Sequence, residues 1–110
     1  MEILCRKTEK AVVIALKGNL DTMTSPEFDK RIAELMGAGE AFLIVDLTNL
    51  AYISSAGLRS LLSAAKKVKA QSGNIVLFGL QDSVKEVFDI TGFNNFFLVA
   101  DNEPKALELI

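Results

Sequence analysis

The stretch "NLAYISSAGLRSLL", residues 49–62, joins an apolar strand-like run to a helix-like run. The run "AFLIVDL" at 41–47 leads into it, and leucines at helical spacing follow the glycine. Ser54 and Ser55 stand at the junction, where a serine often caps the first turn of a helix. The stretch therefore predicts a buried strand, a turn that carries two hydroxyl groups, and a helix over 55–72.

Similar segments alternate along the rest of the chain. "AVVIALK" at 11–17 and "NIVLFGL" at 74–80 are apolar runs typical of strands buried on both faces. Ser25, followed by proline and glutamate, predicts another helix start with the Ser25 hydroxyl as the N-cap. The predicted order is β-β-α-β-α-β-α-β-α. This order predicts an α/β fold with a single, mostly parallel β-sheet and interleaved α-helices, its first two strands pairing antiparallel at one edge.

The position of the two serines within such a sheet suggests a functional site. Open α/β sheets bind their ligands at loops outside the carboxyl ends of the parallel strands. The predicted loops at that end are 18–24, 48–54 and 79–82, and the serines belong to the second or follow it directly. The chain has 110 residues, the length of one domain, so we expect a single domain over residues 1–110.

Charge composition argues against several kinds of partner. The chain has 12 Lys and Arg residues against 14 Asp and Glu residues, a net charge of −2. This balance provides no basic stripe for nucleic acid and no polybasic anchor for anionic lipid. The local basic cluster of Arg59, Lys66, Lys67 and Lys69 is interpreted as the solvated face of a helix. We therefore expect no nucleic-acid partner and no membrane partner.

The absence of histidine removes much of the usual catalytic chemistry. Without it there is no Ser-His-Asp arrangement, no histidine base and almost no zinc chemistry. Cys5 is the only cysteine, which excludes a disulfide framework, and its apolar strand predicts a buried small side chain. No leader segment and no apolar run of the ~18 residues that a membrane span needs are visible. The sequence predicts a cytoplasmic protein that is not an enzyme and has no cofactor and no metal site.

Four interpretations of this strand-to-helix turn can be compared with the sequence. The first is a helix cap, although Gly57 in the first turn costs about 1 kcal/mol of helix stability and suggests that something approaches the backbone closely. The second is a hydrolase nucleophile, which lacks both the Gly-x-Ser-x-Gly pattern and a histidine. The third is a receiver-type phosphoacceptor at Asp46, for which the chain lacks the acidic pair and the lysine. The fourth is a phosphorylated serine, whose anion the start of a helix favours.

The motif "VDLTNLAYISSAGLRSLL" resembles the signature of the STAS domain, specifically that of the stand-alone anti-sigma factor antagonists (anti-anti-sigma factors) of bacteria. "VIALKGNLDTMTSPEF" and "VKEVFDITGFNNFFLVADNEPKAL" are similar to other segments of that family, so the resemblance covers nearly the whole chain. It implies a STAS fold and a signalling role in transcription regulation by partner switching. In this family the unphosphorylated protein binds an anti-sigma factor, which frees a sigma factor. The anti-sigma factor is also a serine kinase that phosphorylates the antagonist, and a serine phosphatase acting on the phosphorylated form resets the system.

The resemblance also implies which residues carry this role. Ser55 occupies the phosphorylated position, and Asp21 matches an aspartate of the docking loop, although a loop-capping role fits Asp21 equally well. The residues expected to bind the partner are Asp21, Thr22, Thr24, Ser54, Ser55, Gly57 and Arg59. The family usually has aspartate where this chain has Ser54, which leaves two candidate hydroxyls. The alternative is a STAS docking subunit of a transporter or signalling scaffold that is not phosphorylated.

Overall fold

A computed structural model describes residues 1–110 as five strands, four α-helices and one short 3₁₀ helix at Phe93–Asn95. The strands are β1 (Glu2–Lys7), β2 (Val12–Leu20), β3 (Phe42–Ile53), β4 (Asn74–Phe78) and β5 (Leu98–Ala100). The helices are α1 (Ser25–Gly37), α2 (Ser55–Ala70), α3 (Asp82–Thr91) and α4 (Glu103–Leu109). The predicted order of strands and helices is confirmed.

The five strands form one sheet in the order β1-β2-β3-β4-β5. β1 pairs antiparallel with β2, with Glu2 opposite Lys17, as predicted for strands that no helix separates. The other neighbours pair parallel, and Leu43 of β3 lies opposite Val12 of β2 and Ile75 of β4. The carboxyl ends of β2, β3 and β4 therefore meet at one end of the sheet, which we call the switch end.

Helices cover the two faces of the sheet unequally. The larger core of 22 buried residues lies on the face that includes Leu43 and Val45, beneath α1, α2 and α3. Ile44, between them in sequence, faces the opposite side, where a smaller core of 7 buried residues lies beneath α4. Because Leu43, Ile44 and Val45 are buried on the two faces of the sheet, this part of β3 is a continuous apolar run rather than an alternating one.

Helices α1 and α2 bury one stripe each against the larger core. Phe28 and Ile32 of α1 and Leu58 and Leu61 of α2 are at most 3% exposed. Burying one such side chain contributes about 1.5–3 kcal/mol relative to leaving it in water. These apolar positions recur at helical spacing, and they hold the starts of both helices at the switch end.

Two strands extend further than the sequence indicates. β2 continues to Leu20 and β3 to Ile53, so much of the predicted loops 18–24 and 48–54 is strand. Parallel pairing continues through register shifts, with Gly18 opposite Leu50 and Leu20 opposite Ile53. The polar residues between these apolar positions suggested loops, but pairing with a neighbouring strand and burial of Leu20, Leu50 and Ile53 outweigh that local signal.

The prediction that Cys5 is buried is wrong. Cys5 is exposed because β1 is an edge strand, and Ile3 is its only buried residue. Its sulfur lies 3.2 Å from Nη1 of Arg31 on α1. The apolar appearance of this short strand did not indicate how little of it the helices cover.

Candidate functional site

Ser54 is the residue that caps α2. Its backbone is extended, and its Oγ accepts a hydrogen bond from the Gly57 backbone N–H at 3.3 Å. Its own N–H donates to the Leu20 carbonyl at 3.0 Å, which ties the start of α2 to the end of β2. The cap interpretation of the serine pair is therefore correct for Ser54, whose hydroxyl is partly buried and already engaged.

Ser55 is the first residue of α2, as the sequence predicts, and its environment differs from that of Ser54. Its side chain is exposed, and its hydroxyl has no hydrogen-bond partner within the protein. It lies beside the carboxyl end of β2, because the preceding residue bonds directly to Leu20. Of the two serines, only Ser55 presents a free hydroxyl to solvent.

Gly57 is needed for the packing of α2 against the end of β2. It is buried, and a Cβ at this position would lie 2.4 Å from the Leu20 carbonyl oxygen and 2.8 Å from Cγ1 of Ile53. A main-chain carbonyl held in a sheet cannot move aside cheaply, so only glycine lets α2 approach the end of β2 this closely. The close approach inferred from the sequence is made by the protein's own strand, and contact of Gly57 with a partner stays a prediction.

The loop between β2 and α1 is held by its own hydrogen bonds. One carboxylate oxygen of Asp21 accepts from the N–H groups of Met23 at 3.0 Å and Thr24 at 3.1 Å. The Thr24 hydroxyl donates to the Asn19 carbonyl at 2.8 Å and accepts from the Asp21 N–H at 2.9 Å. Asp21 thus has the loop-capping role, and its half-buried side chain still has a second oxygen that no protein group uses.

The predicted start of α1 is wrong by one residue. Thr24 occupies the N-cap position, and its carbonyl accepts from the Glu27 N–H at 3.1 Å. Ser25 lies inside the first turn, 6% exposed, and its hydroxyl donates to the Asp21 carbonyl at 2.6 Å. Because the Asp21 carboxylate already orders this loop, α1 starts without a side-chain cap from Ser25.

A shallow groove of about 350 Å³ runs between α1 and α2 beside Ser55. Arg59 is exposed there, and it is the only cation in the lining. Its guanidinium has no carboxylate within 4.0 Å. The ion pairs of the protein are formed by other cations. The groove is lined by Thr22, Ser25, Pro26, Asp29, Ala56, Arg59, Ser60 and Ser63. It brings together the predicted residues Thr22 and Arg59, from segments far apart in sequence.

Sequence reasoning missed two apolar side chains at the switch end. Met23 is 87% exposed in the loop next to Asp21, and Tyr52 is 51% exposed near the end of β3. Exposed methionine and tyrosine are typical of protein interfaces, where they supply contact area. Tyr52 lies between buried residues Leu50 and Ile53, and only the extension of β3 makes its exposure evident.

The structure has neither a cluster of metal ligands nor a membrane-spanning helix. No group of three or more His, Cys, Asp or Glu side chains is placed to hold a metal ion. No helix combines the length and apolar character that crossing a membrane requires.

The Asp46 carboxylate accepts a hydrogen bond from the Thr48 N–H at 2.9 Å, so this carboxylate orders the local backbone. The switch end therefore offers a binding surface that includes the free Ser55 hydroxyl, the Arg59 cation and the exposed side chains of Met23 and Tyr52.

This fold and this site define a known family. The family model of the STAS domain matches residues 2–106, nearly the whole chain. The protein belongs to the STAS domain family, which confirms the resemblance found in the sequence.

Two curated relatives specify the branch of the family that this chain resembles. BtrV of Bordetella bronchiseptica, whose name describes it as a candidate anti-sigma factor antagonist, is 34% identical over 106 residues, covering 96% of this chain and 91% of BtrV. The anti-sigma-B factor antagonist of Listeria monocytogenes is 31% identical over 104 residues, covering 94% of this chain and 90% of the relative. Both proteins align over nearly their full length.

A solved structure independently supports the fold. The phosphorylated form of the Bacillus cell fate determinant SpoIIAA superposes with a TM-score of 0.74, covering 97% of each chain at 22% identity. At that identity the likeness concerns the fold, and it agrees with the family match.

Proposed function

We propose that this protein is an anti-sigma factor antagonist, a binding regulator rather than an enzyme. In its unphosphorylated form it binds an anti-sigma factor and so frees a sigma factor for transcription. The observation that carries the proposal is Ser55, an exposed and unbonded hydroxyl at the start of α2, in a chain 34% identical to BtrV. We place this activity in the cytoplasm, where sigma factors and ATP are found, within one STAS domain over residues 1–110.

The surface proposed to bind the anti-sigma factor is the switch end. Its polar contacts come from Asp21, through its unused carboxylate oxygen, and from Thr22 and Arg59 beside the groove. Met23 and Tyr52 add exposed apolar area at this end of the sheet. Because hydrogen bonds within the loop hold Asp21 and Thr24 in place, the surface is organised before the partner arrives, which reduces the entropy lost on binding.

Phosphorylation of Ser55 is proposed to reverse the binding. The anti-sigma factor acts as a kinase: the Ser55 oxygen attacks the γ-phosphorus of ATP, ADP leaves, and the hydroxyl proton is released. The product carries about −1.5 to −2 charges at neutral pH. An anion at the first residue of a helix is compatible with the helix dipole, so the domain stays folded while its surface changes. A serine phosphatase restores the hydroxyl by hydrolysis of the phosphoester.

Ser55 is preferred over Ser54 as the acceptor for a physical reason. A kinase must reach a hydroxyl from solvent, and Ser54 is partly buried with its Oγ bonded to the Gly57 N–H. Modifying Ser54 would also disturb the cap of α2. Ser55 carries neither restriction.

A second candidate function rests on Ser54, which stands where the antagonist family usually has aspartate. Without that carboxylate beside the acceptor, the protein would serve as a docking subunit for a transporter or signalling scaffold and would not be phosphorylated. The two functions differ in one measurable property, the transfer of phosphate to the chain.

The test is to incubate the protein with its anti-sigma factor and ATP and to analyse it by mass spectrometry. One phosphate on Ser55 is expected in the wild type and in Ser54→Ala, and none in Ser55→Ala. Titration with the anti-sigma factor in the absence of ATP should give similar affinities for Ser55→Ala and wild type. Phosphate on Ser54 would contradict the assignment of Ser55 as the acceptor. Binding without any phosphorylation would contradict the switch and support the docking function.

A further inference from the structure

Arg59 stands one helical turn after Ser55 on the same helix. Residues four apart on a helix lie on one side, with Cβ atoms about 5–6 Å from each other. Both side chains are exposed, and Arg59 has no carboxylate within 4.0 Å. A group attached to the Ser55 oxygen is therefore within reach of an arginine side chain that has no other charged partner.

We propose that Arg59 pairs with the phosphate on Ser55 and that this pairing is part of the switch. Phosphorylation would then act twice: it adds negative charge, and it withdraws the only cation that lines the groove from contact with a partner. The proposal rests on the proposed function in that it takes Ser55 as the modified residue.

The chemistry of the two groups favours the pair. A guanidinium can donate two parallel hydrogen bonds to phosphate oxygens, and charge-assisted bonds of this kind are stronger than neutral ones. The order also suits the helix, because an acidic group four residues before a basic one is the more favourable arrangement. In the folded protein the pair requires only a rotation of the Arg59 side chain.

The surroundings leave the phosphate few other partners. Asp29 on α1 lines the same groove, and Asp21 lies in the neighbouring loop; both repel an anion. Lys66, the next cation along this side of α2, is eleven residues from Ser55, or about 16 Å along the helix axis. The charge distribution therefore directs the phosphate toward Arg59.

Before phosphorylation, Arg59 is a free cation beside the groove. The proposal implies that an acidic group of the anti-sigma factor meets it there and loses this contact when the phosphate forms. Phosphate and partner would thus compete for one guanidinium.

The experiment uses full-length protein with phosphoserine installed at position 55 during translation, so that no kinase is needed. The second pKa of the phosphate is measured by ³¹P NMR titration, and the Arg59 Nε–H resonance is followed by ¹H–¹⁵N spectra. Arginine stabilises the dianion and lowers this pKa, so Arg59→Gln should raise it by roughly 0.2–0.4 unit relative to the phosphorylated wild type. Lys66→Gln is the matched control and should leave the pKa unchanged, while Arg59→Lys should retain part of the effect.

The outcomes distinguish a failure of the Arg59–phosphate pairing from a failure of the proposed phosphorylation of Ser55 by the anti-sigma factor. An equal pKa in Arg59→Gln and Lys66→Gln, with no shift of the Arg59 resonance on phosphorylation, would overturn the pairing even if the kinase modifies Ser55. Conversely, the pairing can be established in translated phosphoprotein even if no kinase reaction is found. Folding of each variant is checked by its amide spectrum, so a loss of structure is not mistaken for a loss of the pair.

Discussion

The starts of α1 and α2 lie side by side at the switch end, and both are rich in hydroxyl groups. At α1, Thr24 and Ser25 are bonded to the loop's own backbone, at 2.8 Å and 2.6 Å. At α2, Ser54 is bonded as the cap, but Ser55 is free and exposed. The two helix starts thus differ in chemistry, because local hydrogen bonds engage the hydroxyls of Thr24 and Ser25 and leave that of Ser55 available.

The largest effect expected at this pair of helix starts comes from a negative charge on Ser55. Ser55→Asp should weaken binding to the anti-sigma factor by about 3 kcal/mol, or roughly 100-fold, because a carboxylate would have to be desolvated in the interface. Affinity is measured by calorimetric titration. Ser72→Asp, the same change at an exposed position beyond the far end of α2, is the control and should bind like wild type. Equal affinities for both variants would mean that the start of α2 does not lie in the interface.

The next effect concerns how closely α2 approaches β2. Gly57→Ala should lower the free energy of unfolding by about 2 kcal/mol, because the new methyl group meets the Leu20 carbonyl and overpacking costs more than the helix propensity that alanine gains. Chemical denaturation measures the change. Gly37→Ala, at the end of α1 with no atom within 4 Å of the new Cβ, should instead be neutral or slightly stabilising. A Gly57→Ala protein as stable as wild type would remove the packing explanation for this glycine.

The smallest effects distinguish the two adjacent serines. Ser54→Ala should cost about 1 kcal/mol of stability because the cap of α2 is lost. Ser55→Ala should change stability by less than about 0.5 kcal/mol because no protein hydrogen bond is broken. Thermal and urea unfolding of the two single variants provide the comparison. If Ser55→Ala proved the more destabilising, the assignment of cap and free hydroxyl would have to be reversed.

Much of this architecture was predictable because its signals are local. Apolar runs predicted the strands, helical spacing of leucines predicted α2, and the absence of a helix between β1 and β2 predicted their antiparallel pairing. The motif around Ser55 also predicted the family, which the match over residues 2–106 confirms.

The two wrong predictions have different physical causes, one local and one tertiary. The sequence around Ser25 suggested a cap, but the Asp21 carboxylate ordered the loop instead. The apolar setting of Cys5 suggested burial, but its strand lies at an edge that the helices do not cover.

By itself the sequence determined the order of the elements, the parallel character of the sheet and the presence of a serine pair at a helix start. These features follow from hydrophobic periodicity and capping chemistry, which act over a few residues. Only the tertiary structure decided that β2 and β3 continue to Leu20 and Ile53, that Gly57 packs against β2, and that Ser54 is partly buried while Ser55 is exposed. The physical reason is that strand pairing and burial depend on neighbours that chain order does not specify.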